Sequence, residues 1–307
     1  MEEMRAEAAE SEAEVANQKY EAFLKVAETG SFKQAARELG YTQAGVSYLV
    51  GTLERELELP LFVRDYGGAR LTAEGADLLP RVQKVCNDER QLETRVAELK
   101  HLASGIVRVA AFTSTAIQWF PGMAKSFLAQ RPGIDLQLIC VDDQDELEEA
   151  VWRGDADCGF FVYPIRHDLH AVSLRHDPLL VVLPPDHPLA DAPFVPRETL
   201  ATEPYIRLKS GTSTEMEGLF RNNEVEPSVR FTIDSDYAVM SMVSAGLGFS
   251  VLSGLILRDA PFPLAVVPPE KETTREIAIA VRSMETASTA TRAFVEHAQE
   301  WIAETYG

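Results

Sequence analysis

Two short hydroxyl-rich runs carry the binding chemistry of this sequence. Thr113-Ser114-Thr115 follows the apolar stretch Ile106 to Phe112 and opens a helical one, and Ser210-Gly211-Thr212-Ser213-Thr214 has the same character further on. Hydroxyls and unbonded backbone N–H groups at a helix start attract anions. Two such clusters facing each other would clamp a carboxylate, with Arg207 and Lys209 adding positive charge beside the second. Read locally, the same hydroxyls are also ordinary N-caps. The adjacent acids Asp142-Asp143 are of a type that holds metals or moves protons. No nucleophile or third ligand stands beside them, so they read as a solvated loop, and His187 reads as structural. No Gly-rich phosphate loop, metal-ligand spacing or nucleophile elbow occurs, so no catalytic residue, metal or cofactor is assigned. Cys86, Cys140 and Cys158 lie far apart without a CxxC pair, which argues against zinc and disulfides and fits a reducing cytoplasm.

The elements that must position these groups alternate between strand and helix. Ile106–Phe112 reads as a strand, Ala116–Gln130 as a helix, Ile134–Val141 as a strand, Asp145–Arg153 as a helix and Cys158–Val162 as a strand. A second stretch starts at Leu179–Leu183 and includes helices near Thr214–Asn222 and Asp236–Ala245. The chain returns through Leu264–Val267, the strand Glu276–Val281 and a helix from about Thr286. Such alternation predicts open parallel sheets covered by helices. Ligands of such sheets bind beyond the carboxyl ends of the strands, where Thr113 and Asp142 fall.

Before the Ser104-Gly105 break the texture is helical. Tyr20, Phe23, Leu24 and Ala27 mark a short helix that stops at Gly30. Ser31 and Gln34 form a capping box for a second helix, Phe32–Leu39, closed by Gly40. Thr42 caps a third, with Val46, Val50, Leu53 and Leu57 expected on its buried face, and Pro60 closes it. Two short helices joined by a Gly-containing turn describe a helix-turn-helix. Leu61-Phe62-Val63, Gly67-Gly68 and Arg70-Leu71-Thr72 then suggest a two-stranded wing. A long helix from Thr72 to about Ala103 places Leu78, Val82, Val85, Glu89, Leu92, Val96, Leu99 and Ala103 in steps of three and four, a heptad seam interrupted only by Glu89.

The net charge of −19 argues against nucleic acid, which demands a basic face. Its distribution weakens the objection. About −5 comes from the tail before Asn17 and about −13 from the chain after Ser104, while Gln18 to Thr72 is close to neutral. The acidic tail lacks the apolar core of a secretory signal, and no apolar run reaches the roughly 20 residues a membrane span needs.

The run FLKVAETGSFKQAARELGYTQAGVSYLVGTLERELELPLFVRDYGGARLTAEGADLL resembles the DNA-binding region of LysR-type transcriptional regulators along its whole length. Phe23, Gly30-Ser31-Phe32, Ala35-Ala36, Leu39, Gln43, Ser47, Leu53-Glu54, Leu57, Pro60-Leu61-Phe62, Arg64, Leu71-Thr72 and Gly75 fall where that pattern expects them. FPGMAKSFLAQRPGIDLQL, LEEAVWRGDADCGF, LLVVLPPDHPLA and VSAGLGFSVL resemble the regulatory domain of the same family more loosely.

The resemblance implies an all-α, winged-helix N-terminal domain followed by an α/β, two-lobed regulatory domain of the periplasmic-binding-protein-like (type 2) fold. It divides the chain into a tail (1–17), a DNA-binding domain (18–72), a dimerising helix (73–104) and an effector domain (105–307). Lobe 1 then spans about 105–177 and 264–307, and lobe 2 about 178–263. Ser31, Thr42, Gln43, Ser47, Tyr48, Arg64 and Arg70 become the expected DNA contacts, with Gln43 suited to a bidentate pair with adenine. Thr113, Ser114, Thr115, Asp142, Arg207, Ser210 and Thr212 become the expected effector contacts. The implied partners are double-stranded promoter or operator DNA, a small anionic effector and further copies of the chain in a homodimer or homotetramer, with no membrane. Tyr48 and Gly51 stand where the family often carries basic residues. That departure implies weaker, less salt-dependent binding. It leaves open a member that acts by hetero-oligomerisation; a solute-binding protein is the other alternative.

Overall fold

The computed structural model describes residues 17–65, 68–99, 105–209 and 213–306, and side chains within them except at 64, 65, 94, 95, 97–99 and 213–215. Contacts divide the chain into two compact units, 1–97 and 98–307. The expected tail and the expected effector contacts Ser210 and Thr212 lie outside the described residues.

The first unit contains α1 (17–29), α2 (Phe32–Leu39), α3 (Gln43–Leu57), β1 (Phe62–Asp65), β2 (Gly68–Leu71) and α4 (Ala73–Leu99). Local capping chemistry sets its corners. The Ser31 hydroxyl accepts from the Gln34 N–H, Gly40 closes α2 at φ 72°, and the Thr42 hydroxyl accepts from the Gly45 N–H. Phe23, Val26, Phe32, Ala35, Val46, Val50 and Leu53 form the core with Leu61 and Phe62. The buried face of α3 is turned slightly from the expected one: Leu49 is buried, whereas Leu57, in the last turn, is 39% exposed. β1 and β2 pair antiparallel, Phe62 opposite Leu71 and Asp65 opposite Gly68. Glu54 ties this wing to α3, its carboxylate accepting from the N–H groups of Leu61 (2.7 Å) and Phe62 (3.1 Å). At Gly75 a Cβ would meet the Leu61 carbonyl oxygen at 2.3 Å, so α4 can approach the wing only without a side chain there.

The heptad seam of α4 divides into two parts. Leu78 and Val82 pack on the core of their own unit, while Val85, Leu92 and Val96 are exposed. Pro80 lies within the helix and removes one backbone donor.

The second unit contains β3 (Gly105–Ala111), α5 (Thr113–Gln118), α6 (Phe120–Gln130), β4 (Ile134–Cys140), α7 (Gln144–Arg153), β5 (Cys158–Val162), β6 (His170–Leu183), α8 (Arg197–Thr202), β7 (Pro204–Leu208), α9 (Ser213–Asn222), β8 (Ser228–Ile233), α10 (Asp236–Ser244), β9 (Ser250–Ser253), α11 (Gly254–Leu257), β10 (Ala265–Val267), β11 (Thr273–Val281) and α12 (Thr289–Tyr306). The expected helix Ala116–Gln130 is two helices broken at Trp119, with Pro121 in the first turn of α6. The main sheet runs β10-β6-β11-β5-β3-β4, with β9 also on β6, and β7 pairs β8 in parallel. β3, β4 and β5 are parallel, as the alternation required; β6 and β11 are antiparallel and connect the lobes.

Lobe 1 packs around Trp119, Phe127, Phe160, Phe161 and Phe294. Lobe 2 has two clusters, one around Tyr205, Phe220 and Phe249 and one around Ile206, Val239 and Leu252. The C-terminal part of β11 lies between β5 and the N-terminal part of β6, whereas Leu179–Leu183 pair with β9 and β10. The return crossing therefore falls on β11, near Thr273–Ile277, later than the lobe boundary at about 264 expected from the sequence. Ala265 and Val267 still belong to lobe 2, because β10 pairs with the end of β6 and buries both among the Tyr205 cluster.

Candidate functional site

On α3 the residues that do not face the core include those with sequence-reading chemistry. Gln43 is exposed one turn before Ser47, which is half-buried, while Val46 and Val50 point into the unit. Among the described residues the Gln43 amide has no hydrogen-bond partner, so both its donor and acceptor face outward. Tyr48 is 68% exposed. Thr42 and Ser31 are both engaged as caps, at 3.0 and 3.3 Å, which fixes their oxygens against their own helices. Arg70 stands exposed on β2 opposite Val63, and Arg64 is opposite Ala69; the Arg64 side chain lies outside the described atoms. Of the cations in this unit, Lys19 is taken up by Glu56 at 2.6 Å and Lys25 by Glu28 and Glu38. Lys33 and Arg37, on the outer face of α2, have no partner among the described residues. Neither is among the DNA contacts expected from the sequence.

The second unit has a cleft of about 980 Å³ between its lobes. Asp142, Tyr163 and Arg166 line it from lobe 1, Lys209 and Asp234 from lobe 2, and His176, Thr274 and Arg275 from the crossing strands. The expected hydroxyl clamp is arranged differently. All three hydroxyls of the first cluster are used internally: Thr113 donates to Asp142, Ser114 accepts from Arg275 at 2.9 Å, and Thr115 donates to the Phe112 carbonyl. The N–H of Thr113 also donates to Asp142, so a carboxylate of the chain itself sits at the start of α5. Asp142-Asp143 lie in the loop after β4, with Asp143 exposed, but both carboxylates are engaged. Asp142 caps α5, and Asp143 caps α7 by accepting from the N–H groups of Asp145 and Glu146, because β4 ends between the two helix starts. Arg207 does not line the cleft. It borders a separate cavity within lobe 2, whereas its neighbour Lys209 faces the cleft.

Behind the cleft, Arg275 and Asp177 form a buried pair at 2.8 Å across the crossing strands. Burial pushes the Asp177 carboxyl up against the opposing pull of Arg275. Asp236, at the start of α10, is pushed up to about 6 by burial and by the like charge of Asp142. Glu148 is fully buried; burial raises its carboxyl, but hydrogen bonds from the His167 and Arg166 N–H groups and from Gln144 prevail and hold it below the usual range. None of these three acids was singled out in the sequence. His187 is held between Glu203 and the Leu189 N–H, in keeping with the structural reading.

A helix-turn-helix with a two-stranded wing, followed by a long helix and a two-lobed α/β unit, defines a DNA-binding regulator with an effector domain. The model of the bacterial regulatory helix-turn-helix protein, lysR family, matches residues 18–76, and that of the LysR substrate binding domain matches 100–303. The chain belongs to the LysR family of transcriptional regulators. It is 30% identical over 281 residues to the uncharacterized HTH-type transcriptional regulator YvbU of Bacillus subtilis, covering 91% of this chain and 96% of that protein. Its fold is similar to that of full-length CbnR complexed with its target DNA (TM-score 0.71, 21% identity, 93% of this chain and 99% of that one). It is also similar to the regulatory domain of CcmR from Synechocystis PCC6803 in complex with 2-PG (TM-score 0.61, 24% identity, 66% of this chain and 99% of that one).

Proposed function

We propose that α3 enters the major groove of operator DNA, with Gln43 and Ser47 reading bases, Tyr48 beside them, and Ser31, Thr42, Arg64 and Arg70 against the backbone or minor groove. The outward, unpartnered amide of Gln43 on a helix whose other face is buried carries this reading. The exposed Val85, Leu92 and Val96 join two copies along α4, as a homodimer or a tetramer built from it, because paired half-sites need symmetry-related readers. The chain acts in the cytoplasm, on DNA, without catalysing a reaction.

The cleft takes a small anionic metabolite. Three of its five acids are committed, Asp142 and Asp143 to helix starts and Asp145 to Arg166 at 2.5 Å, while Asp234 and Glu276 have no ion pair among the described residues. Lys209 has no ion pair among the described residues and offers its ammonium to a carboxylate or phosphate. The 2-PG bound by the similar regulatory domain is a molecule of this class. Thr113, Ser114, Thr115 and Asp142 shape the lobe 1 wall through the network they form. Fluorescence anisotropy with the DNA upstream of the chain's own gene tests the first half: Gln43→Ala must lose preference for that DNA over scrambled duplex. A thermal-shift screen of phosphorylated and carboxylic metabolites tests the second, with stabilisation lost in Lys209→Ala. Unchanged preference in the first variant, or no stabilisation by any anion, overturns the corresponding half.

A further inference from the structure

We propose that lobe 2 carries a second small-molecule site, separate from the interlobe cleft, in which Tyr205 and two arginines receive a small apolar acid. A cavity of about 230 Å³ lies between β7, α9 and the segment leading to β8. Its walls are Leu208, Met216, Phe220 and Val225, and it shares no lining residue with the cleft. Tyr205 also lines it and is only 2% exposed, held by Phe220 edge-on at 4.8 Å and by Phe249 at 5.3 Å.

The Tyr205 hydroxyl makes no hydrogen bond to any described group. A buried hydroxyl left unpaired costs free energy that a ligand or solvent can recover. It is not one of the fully enclosed unpartnered atoms, unlike Trp119 Nε1 in the lobe 1 core, so it opens into the cavity. Burial pushes its pKa well up, so the group stays a protonated donor.

The rim supplies the charge. Arg207 and Arg221 border the cavity without an ion pair among the described residues, as do Glu217 and Glu226. The acids make an amine the competing head group. The acid is favoured because guanidinium groups grip carboxylates bidentately, and because the Arg207 charge acts on the Tyr205 hydroxyl more strongly than that of Glu217. Size limits the body of the ligand: an apolar cavity of about 150 Å³ holds benzene, so this one holds a single ring or branched chain with its head group at the mouth.

The full-length chain, labelled at its seven methionine methyls, provides the test, with Met216→Leu identifying the reporter signal. Benzoate, benzyl alcohol and benzylamine are titrated separately. Benzoate is expected to move the Met216 signal saturably, and benzyl alcohol several-fold more weakly. Tyr205→Phe should weaken benzoate by roughly threefold to tenfold, the loss of one hydrogen bond, without lowering the melting temperature of the unliganded protein. Arg207→Gln with Arg221→Gln should remove the advantage of benzoate over the alcohol, and Lys209→Ala in the cleft should change nothing. No saturable shift at Met216, equal benzoate affinity in Tyr205→Phe, loss of binding in Lys209→Ala, or tighter binding of benzylamine than benzoate would overturn the proposal.

Discussion

The carboxylate of Asp142 accepts both the backbone N–H and the hydroxyl of Thr113, each at 2.7 Å, across 29 residues of sequence. One side chain thereby closes the end of β4 onto the start of α5 and puts a fixed negative charge on the cleft wall. Asp142→Ala should lower stability by about 1–2 kcal/mol, the range for a lost N-terminal cap. Chemical denaturation checks this; a variant as stable as the parent would mean that the two bonds add nothing.

The pH dependence of Asp236 follows from its burial first and from that charge second. Its pKa is raised from an ordinary 3.8 to about 6, so the folded chain prefers it protonated. Its contribution to stability is fully present below pH ~4 and lost as pH rises through about 6. Two units correspond to at most about 3 kcal/mol, fewer once solvent relaxation is allowed for. Asp236→Asn should therefore be more stable than the parent at pH ~7, with the advantage growing between pH ~4 and ~6 and constant above. Parallel stability curves for the two proteins would refute this.

Two glycines of α3 separate conformational cost from packing. A Cβ at Gly51 would meet nothing within 4 Å, whereas one at Gly45 would come 3.2 Å from the capping oxygen of Thr42. Gly51→Ala should stabilise the first unit by roughly 1 kcal/mol, and Gly45→Ala should gain less or lose. Melting curves giving equal gains would show that the cap is indifferent to the contact.

Tyr48 holds an exposed place where the family often has a cation. Tyr48→Arg should tighten operator binding and steepen its salt dependence by about one phosphate contact, a slope change near −0.9. Anisotropy titrations between low and physiological salt read this directly. An unchanged slope would place residue 48 away from the phosphates.

The buried Arg275–Asp177 pair gives an asymmetric expectation. Arg275→Met strands the carboxylate and should cost roughly 3–5 kcal/mol, while adding Asp177→Leu should recover most of the loss. Urea denaturation of both variants measures the difference. A double variant as unstable as the single one would mean that the pair is needed for its hydrogen bonds to Ser114 and the Leu255 N–H and not for its charge.

What the sequence disclosed is what short-range chemistry decides. Ser31, Thr42 and Gly40 announce helix ends because each cap closes within three or four residues. The helix-turn-helix and its reading face were legible for that reason, although the last turn of α3 exposes Leu57 where periodicity buried it. The cleft was harder to read. Ser114 meets Arg275 across 161 positions, and Asp177 meets it across 98, so no local pattern could forecast that the hydroxyls would be taken up inside the fold. The crossing was misplaced for a related reason: β10 pairs with β6 and stays in lobe 2, although the chain there already looks like a returning strand.

The paired ribbon of β6 and β11 has a mechanical consequence. Nine residue pairs run unbroken in direction from Thr273 opposite Leu179 to Val281 opposite His170, with a register shift between Ile277 and Ala278. Two bonded strands resist sliding past each other but yield to twisting, and they yield most where a bulge interrupts the ladder. The halves of the sensor are thus joined as by a torsion spring.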